Sequence, residues 1–198
     1  MSDLRQRLQR ALARAGEGSS DFDLNPGTVL PEGRRLRPAG VLAAISLTED
    51  EPRLILTKRS SRLKHHPGQI AFPGGKQEES DRDVTEAALR EAQEEIGLPM
   101  HLPEVIGHLP CHETVTSFQV TPVVALLHER FEPVPEAGEV AEVFSVPLQH
   151  LLDPGNFIVE SRRWQGARRH YYTVPYGPYY IWGATARMLR GLVAAMSE

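Results

Sequence analysis

Glu91, Glu94 and Glu95 are the residues with the clearest chemical potential, lying in the segment AALREAQEEIGL. They stand at i, i+3 and i+4, so on a helix turning about 100° per residue they project from one side. Ionised carboxylates this close repel by a few tenths of a kcal/mol per pair, and by more when desolvated. A divalent cation removes that repulsion. An all-oxygen donor set suits Mg²⁺, with Mn²⁺ as the alternative, and water or substrate phosphate completing the shell. A bare pattern of this kind most often marks a solvated acidic face paired with Arg90 or Arg187. Its surroundings shift the balance. Gly74 and Gly75, just upstream, let backbone approach a ligand closely, and Gly75 can turn its carbonyl toward a metal. Arg90 can orient a carboxylate through two parallel N–H bonds.

These side chains need a helix. Residues 83–96 supply one, with Asp83 and Glu86 spaced as a capping box and Gly97 placed for the left-handed C-terminal position. Val84, Ala88, Leu89, Ala92 and Ile96 form its apolar stripe. Residues 39–47 and 53–59 read as strands joined by a turn at 48–52, and 104–110 and 118–127 as two more. Residues 141–147 read as a strand running into a short helix, 157–164 and 169–174 as a hairpin, and 184–196 as a closing helix. Mixed strands with two main helices predict an α/β (α+β) sandwich. Leu4, Leu8, Ala11 and Leu12 fall at helical spacing in an N-terminal arm, and residues 17–37 have no period and read as loop or linker. The expected organisation is therefore arm and linker over 1–37 and the catalytic domain over 38–198.

A basic loop precedes the glycines: Arg59, Arg62, Lys64, His65 and His66. Such a loop offsets phosphate charge and draws in an anionic ligand. By itself it reads as ordinary solvated charge. Beside a metal segment it reads as phosphate recognition, with His65 and His66 unassigned. The aromatic run Tyr171, Tyr172, Tyr176, Tyr179, Tyr180 and Trp182 could stack a base, but its alternation fits packing between sheet and final helix better.

Composition excludes several classes. A net charge of −4 with no long basic stripe argues against a nucleic-acid partner. No apolar stretch is long enough to span a membrane. The single cysteine, Cys111, forms no internal disulfide and reads as a small buried thiol, and a cytoplasmic setting is expected. Arg outnumbers Lys 19 to 3, which reads chiefly as codon bias. The partner is expected to be a small molecule, and monomer and homodimer both remain open.

The string R-E-A-Q-E-E-I-G-L, residues 90–98, resembles the second half of the Nudix box. Upstream, residues 54–75 resemble the accessory motif of the coenzyme A pyrophosphatase subgroup, with Thr57, Arg59, Ser60, Gly68, Phe72, Pro73, Gly74 and Gly75 in place and Lys64 where the pattern has Arg. The usual box has Glu five residues after the glycine and Arg after seven more. Here Asp81 holds the acidic position and one residue is extra, a departure that the subgroup shares. The resemblance covers roughly residues 38–192. It implies a Nudix-type α/β/α sandwich with a mixed sheet, and Mg²⁺-dependent hydrolysis of the diphosphate of coenzyme A to 3′,5′-ADP and 4′-phosphopantetheine or its acyl form. It implies a metal at Glu91, Glu94, Glu95 and Gly75, catalytic roles for Arg90, Glu94 and Glu95, and substrate contacts from Arg59, Arg62, Lys64, Gly68 and Phe72. The general base is a carboxylate of the box, or Glu139 or Glu142 in the loop before the 141–147 strand. ADP-ribose, NADH or another nucleoside diphosphate derivative is the alternative substrate, and a sensor without turnover the alternative role.

Overall fold

A computed structural model describes residues 2–28, 32–164 and 166–197. Helix α1 (Ser2–Arg14) is followed by strands β1 (Ser19–Ser20), β2 (Arg37–Ser46), β3 (Arg53–Arg59), β4 (Ile70–Ala71) and β5 (Gly74–Lys76), then helix α2 (Val84–Ile96). Strands β6 (Glu104–His108), β7 (His112–Glu113), β8 (Phe118–Leu127) and β9 (Val140–Pro147) lead into helix α3 (Leu148–Leu152). A 3-10 turn, strands β10 (Ile158–Trp164) and β11 (Ala167–Thr173), and helix α4 (Ala184–Ser197) close the chain.

Strand β2 organises the molecule. It runs parallel to β8 along its whole length, from Arg37 opposite Phe118 to Ser46 opposite Leu127. On its other side it meets β3 at one end and β5 at the other, both antiparallel. The period-two alternation of a strand sends Leu42 and Ala44 to one face and Ala43 and Ile45 to the other. The first pair packs with Ala88, Ala92 and Ile96 of α2. The second packs with Leu189 and Leu192 of α4 and Leu8 of α1. The result is a mixed sheet between helices, as expected from the pattern of elements.

Four short strands, β1, β4, β5 and β7, have no signal in the sequence. The Gly74–Lys76 strand forms because glycine tolerates its backbone: Gly74 has φ 151°, and a Cβ there would meet β2. Ser19–Ser20, inside the stretch read as loop, adds a parallel bridge to His112–Glu113. Two or three residues carry too little periodicity to register. The arm packs as a helix, with Leu8 and Ala11 buried and Arg5 paired to Glu104 at 2.5 Å. Cys111 is half-buried, its Sγ 3.4 Å from Thr121 Oγ1, and so less enclosed than expected.

Candidate active site

Helix α2 starts and stops where its sequence dictates. Asp83 Oδ1 accepts the N–H groups of Thr85 and Glu86 at 2.8 and 2.9 Å. The reciprocal half of the expected capping box is displaced by one residue, since Glu86 accepts from Arg82 N–H rather than from the cap itself. Gly97 ends the helix at φ 71°, its N–H bonded to the Gln93 carbonyl at 3.0 Å. Gly40 of β2 lies under the first turn, where a Cβ would collide with the Val84 carbonyl, so α2 sits close on the sheet.

That seat brings the carboxylates to the glycines. Gly74 N–H donates to Glu95 Oε2 at 3.1 Å, and a Cβ on Gly75 would run into the Glu91 carboxylate. Glu95 is buried at 5% exposure. Burial pushes its carboxyl up to about 7, the Gly74 N–H opposes this, and the charges of Glu91 and Glu139 add to it. Burial also raises Glu91, against the pull of Arg90. Both carboxylates thus lack full compensation within the protein.

Glu94 stands apart. Residues four apart on a helix are offset by about 40° and residues three apart by about 60° the other way, so Glu94 falls on the outer flank. It is largely exposed and meets Arg90 Nη1 at 3.1 Å. The expectation of three carboxylates on one side is corrected to two facing the glycines and one beside them. Among the described residues no three acidic, His or Cys side chains stand together as a ready ligand set.

Arg90 anchors the region. Its Nε and Nη2 grip both oxygens of Asp81 at 2.9 and 3.0 Å, and Nη1 reaches Glu91 at 3.2 Å. Asp81 is buried, and the Arg90 hydrogen bonds hold its carboxyl below the usual carboxylate range. The Arg90 fork therefore goes to Asp81, and only one of its nitrogens reaches the Glu91 carboxylate it was expected to orient. The acid of the longer spacing supplies the anchor.

The basic loop divides. Arg59, at the end of β3, is half-buried and acts on both Glu95 and His66. Gly68 adopts φ 70° and donates to the Arg59 carbonyl at 3.1 Å, closing the loop. Arg62, Lys64 and His65 are exposed, and among the described residues Arg62 and Lys64 make no ion pair. His66 takes φ 54°, a conformation unusual for a residue with a side chain. Phe72 is buried and lines a cavity of about 440 Å³ with His66, Arg162, Tyr171, Trp182 and Asp21. A larger cleft of about 650 Å³ between the 48–53 and 129–133 segments is lined by none of the candidate site residues.

The two candidate carboxylates outside the box also separate, Glu139 in the loop before β9 and Glu142 within that strand, not in the loop where it was expected. Glu142 accepts from Tyr179 Oη at 2.5 Å, and the Tyr179 ring stacks on Phe144 at 3.6 Å, so Glu142 is engaged away from the helix. Glu139 is exposed, and its charge reaches Glu91 and Glu95. Its backbone is fixed: Ser60 N–H donates to its carbonyl at 2.7 Å and Glu136 accepts its N–H at 2.8 Å.

A NUDIX domain model matches residues 36–165. The chain belongs to the Nudix family. It is 40% identical over 173 residues to an uncharacterized Nudix hydrolase, NudL, of Citrobacter koseri, covering 87% of this chain and 90% of that one. NudL of Cronobacter sakazakii, likewise uncharacterized, is 40% identical over 162 residues, covering 82% and 84%. A Caenorhabditis elegans Ap4A hydrolase structure is 18% identical, with a TM-score of 0.49 over 56% of this chain and 80% of that one. As a Nudix hydrolase the protein acts on the pyrophosphate bond of a nucleoside diphosphate derivative. Among the described residues no helix is long and apolar enough to cross a membrane.

Several residues near this Nudix site gave no signal in the sequence. Asp21 reaches His112 Nε2 at 3.1 Å and Val115 N–H at 2.9 Å, while Ser19 Oγ meets His112 Nδ1 at 2.9 Å. His112 is fully buried between them and pins the N-terminal segment to the cavity wall. Partners 91 residues apart share no local pattern. The aromatic run splits: Tyr172, Tyr176 and Tyr179 pack against the core as expected, whereas Tyr171 and Trp182 face the cavity.

Proposed function

We propose that this Nudix hydrolase cleaves the diphosphate of coenzyme A and its derivatives, giving 3′,5′-ADP and 4′-phosphopantetheine or its acyl form. The observation that carries the reading is the pair Glu91 and Glu95, desolvated and only partly compensated, with Glu91 against Gly75, where a Cβ would meet it, and Glu95 against the Gly74 N–H. Two desolvated carboxylates and a backbone carbonyl are hard oxygen donors, and they fit Mg²⁺ or Mn²⁺. Glu91, Glu95 and the Gly75 carbonyl would hold the cation, with Glu94 joining from the flank. When bound, it neutralises charge on the phosphate oxygens and lowers the pKa of the attacking water.

The protein's own groups do the rest. Arg59, Arg62 and Lys64 balance the diphosphate, and the Gly68 turn sets their loop. Phe72 forms the apolar floor beyond. Glu139 takes the proton as water oxygen attacks phosphorus and the bridging P–O bond breaks, releasing a phosphate monoester on each side. Arg90 holds the carboxylate helix in place through Asp81. The glycine-rich accessory motif supports coenzyme A over other nucleoside diphosphates. It brings Arg59 and Phe72, the two ends of a polar-to-apolar path, into one short segment.

The test is product analysis by mass with Mg²⁺ and, separately, coenzyme A, ADP-ribose and NADH. The expected result is 3′,5′-ADP from coenzyme A as the dominant product. Faster turnover of ADP-ribose or NADH would remove the coenzyme A assignment and leave the Nudix chemistry. Binding without cleavage of any of them would favour a sensor.

A further inference from the structure

The β10–β11 hairpin stands outside the main sheet, and its register sets arginine against arginine. Arg162 lies opposite Arg169 and Arg163 opposite Arg168. Like charges directly across a ladder repel. The two pairs point to opposite faces by strand alternation. Arg162 and Arg169 line the cavity that holds Phe72 and Trp182. Arg162, Arg163 and Arg168 are all exposed, but Arg163 and Arg168 line no part of that cavity.

Arg162 is positioned in advance. Its guanidinium carbon sits 4.2 Å from the Trp182 ring centroid and 5.8 Å from that of Tyr171, and Tyr171 meets Trp182 edge-on at 5.2 Å. Stacking occupies the flat face of the guanidinium and leaves its N–H edge free for a planar or tetrahedral oxyanion. Among the described residues no carboxylate pairs with it. Its charge and that of Arg59 both reach His66, and Arg59 in turn reaches Glu95. Arg162 and His66 both line the cavity of about 440 Å³, within the range of ~300–1,000 Å³ that accommodates a nucleotide-sized ligand.

We infer that Arg162, stacked on Trp182, is a specificity residue that binds a phosphate monoester of the substrate other than the diphosphate being cut. The inference rests on the coenzyme A reading, in which that group is the 3′-phosphate.

Calorimetry with the full chain separates this claim from the reading beneath it, because it needs no turnover. The probes are adenosine 3′,5′-bisphosphate and adenosine 5′-monophosphate, which differ by one phosphate. Wild type should bind the bisphosphate roughly ten- to a hundredfold more tightly, the range for one charge-assisted contact. Arg162→Ala should erase the preference, and Arg163→Ala, which removes the same charge from the other face, should keep it. Absence of a preference in wild type, or an equal loss in both variants, would overturn the assignment. In turnover, Arg162→Ala should raise KM for coenzyme A about tenfold with kcat little changed, leaving 3′-dephospho-coenzyme A unaffected. An equal loss on both substrates would count against Arg162. Failure of wild type to cleave coenzyme A would sink the substrate reading alone, and the binding comparison would still decide the role of Arg162.

Discussion

Two charged groups sit one helical turn apart on α2, and they are built differently. Around Arg90 every donor finds an acceptor: Asp81 takes a two-pronged contact at 2.9 and 3.0 Å, and Glu91, Glu94 and the Lys76 carbonyl take what remains. Around Glu95 no such balance holds. A buried carboxylate accepts a backbone N–H at 3.1 Å, and the charges of Glu91 and Glu139 act against the pull of Arg59. The first group is complete within the protein and fixes α2 to the segment before it. The second is not, and in the proposed reading it is where the cation binds.

The sharpest way to break this contrast is to neutralise one member on each side. Glu95→Gln should cost at least ~10²–10³ in kcat, the scale for losing a group that stabilises transition-state charge, while the urea midpoint without metal stays level or rises. Asp81→Asn should do the reverse. It strands the Arg90 fork, costs about 2–3 kcal/mol of unfolding free energy, and lowers kcat/KM only about tenfold.

The two groups should also respond to pH with opposite signs. Asp81 lies below its ordinary range. Its contribution is present above the unfolded value of about 3.9 and is lost as pH falls through the folded value. Glu95 is raised from 4.5 to about 7, so the folded chain retains a proton that the unfolded chain releases. That stabilisation is present at acid pH and is lost as pH rises across this window. A cation competes with the proton, so the Mg²⁺-induced rise in Tm should be larger at about pH 8 than at about pH 6. An equal rise at both would remove Glu95 from the metal site. The smallest expected effect is that of Glu94→Gln, a loss of about tenfold or less in metal affinity. A loss as large as that of Glu95→Gln would put Glu94 on equal terms with it.

The difference between the groups also explains what could be read from the sequence. The helix over 83–96, its glycine stop and the facing of Glu91 and Glu95 follow from local spacing alone. So do the long strands β2, β3 and β8 and the β10–β11 hairpin. The role of Asp81 is not legible in the spacing, because an extra residue in a loop has no fixed geometry until Arg90 folds back onto it. Trp182, Arg162 and Asp21 were missed as cavity residues for a related reason. They meet through the packing of a ribbon, a loop and an N-terminal segment that are distant in sequence. Nothing in the spacing distinguished Glu139 from Glu142 either. Tyr179 draws one of them away, and that contact belongs to tertiary structure.

The central claim is that Glu91 and Glu95 are completed by a divalent cation while the Arg90–Asp81 pair needs none. Titration of the full chain with Mn²⁺, followed by electron paramagnetic resonance of the free ion, tests it directly. The account predicts saturable binding by wild type, retained by Asp81→Asn and lost in Glu95→Gln. Undiminished Mn²⁺ binding by a folded Glu95→Gln protein would contradict it.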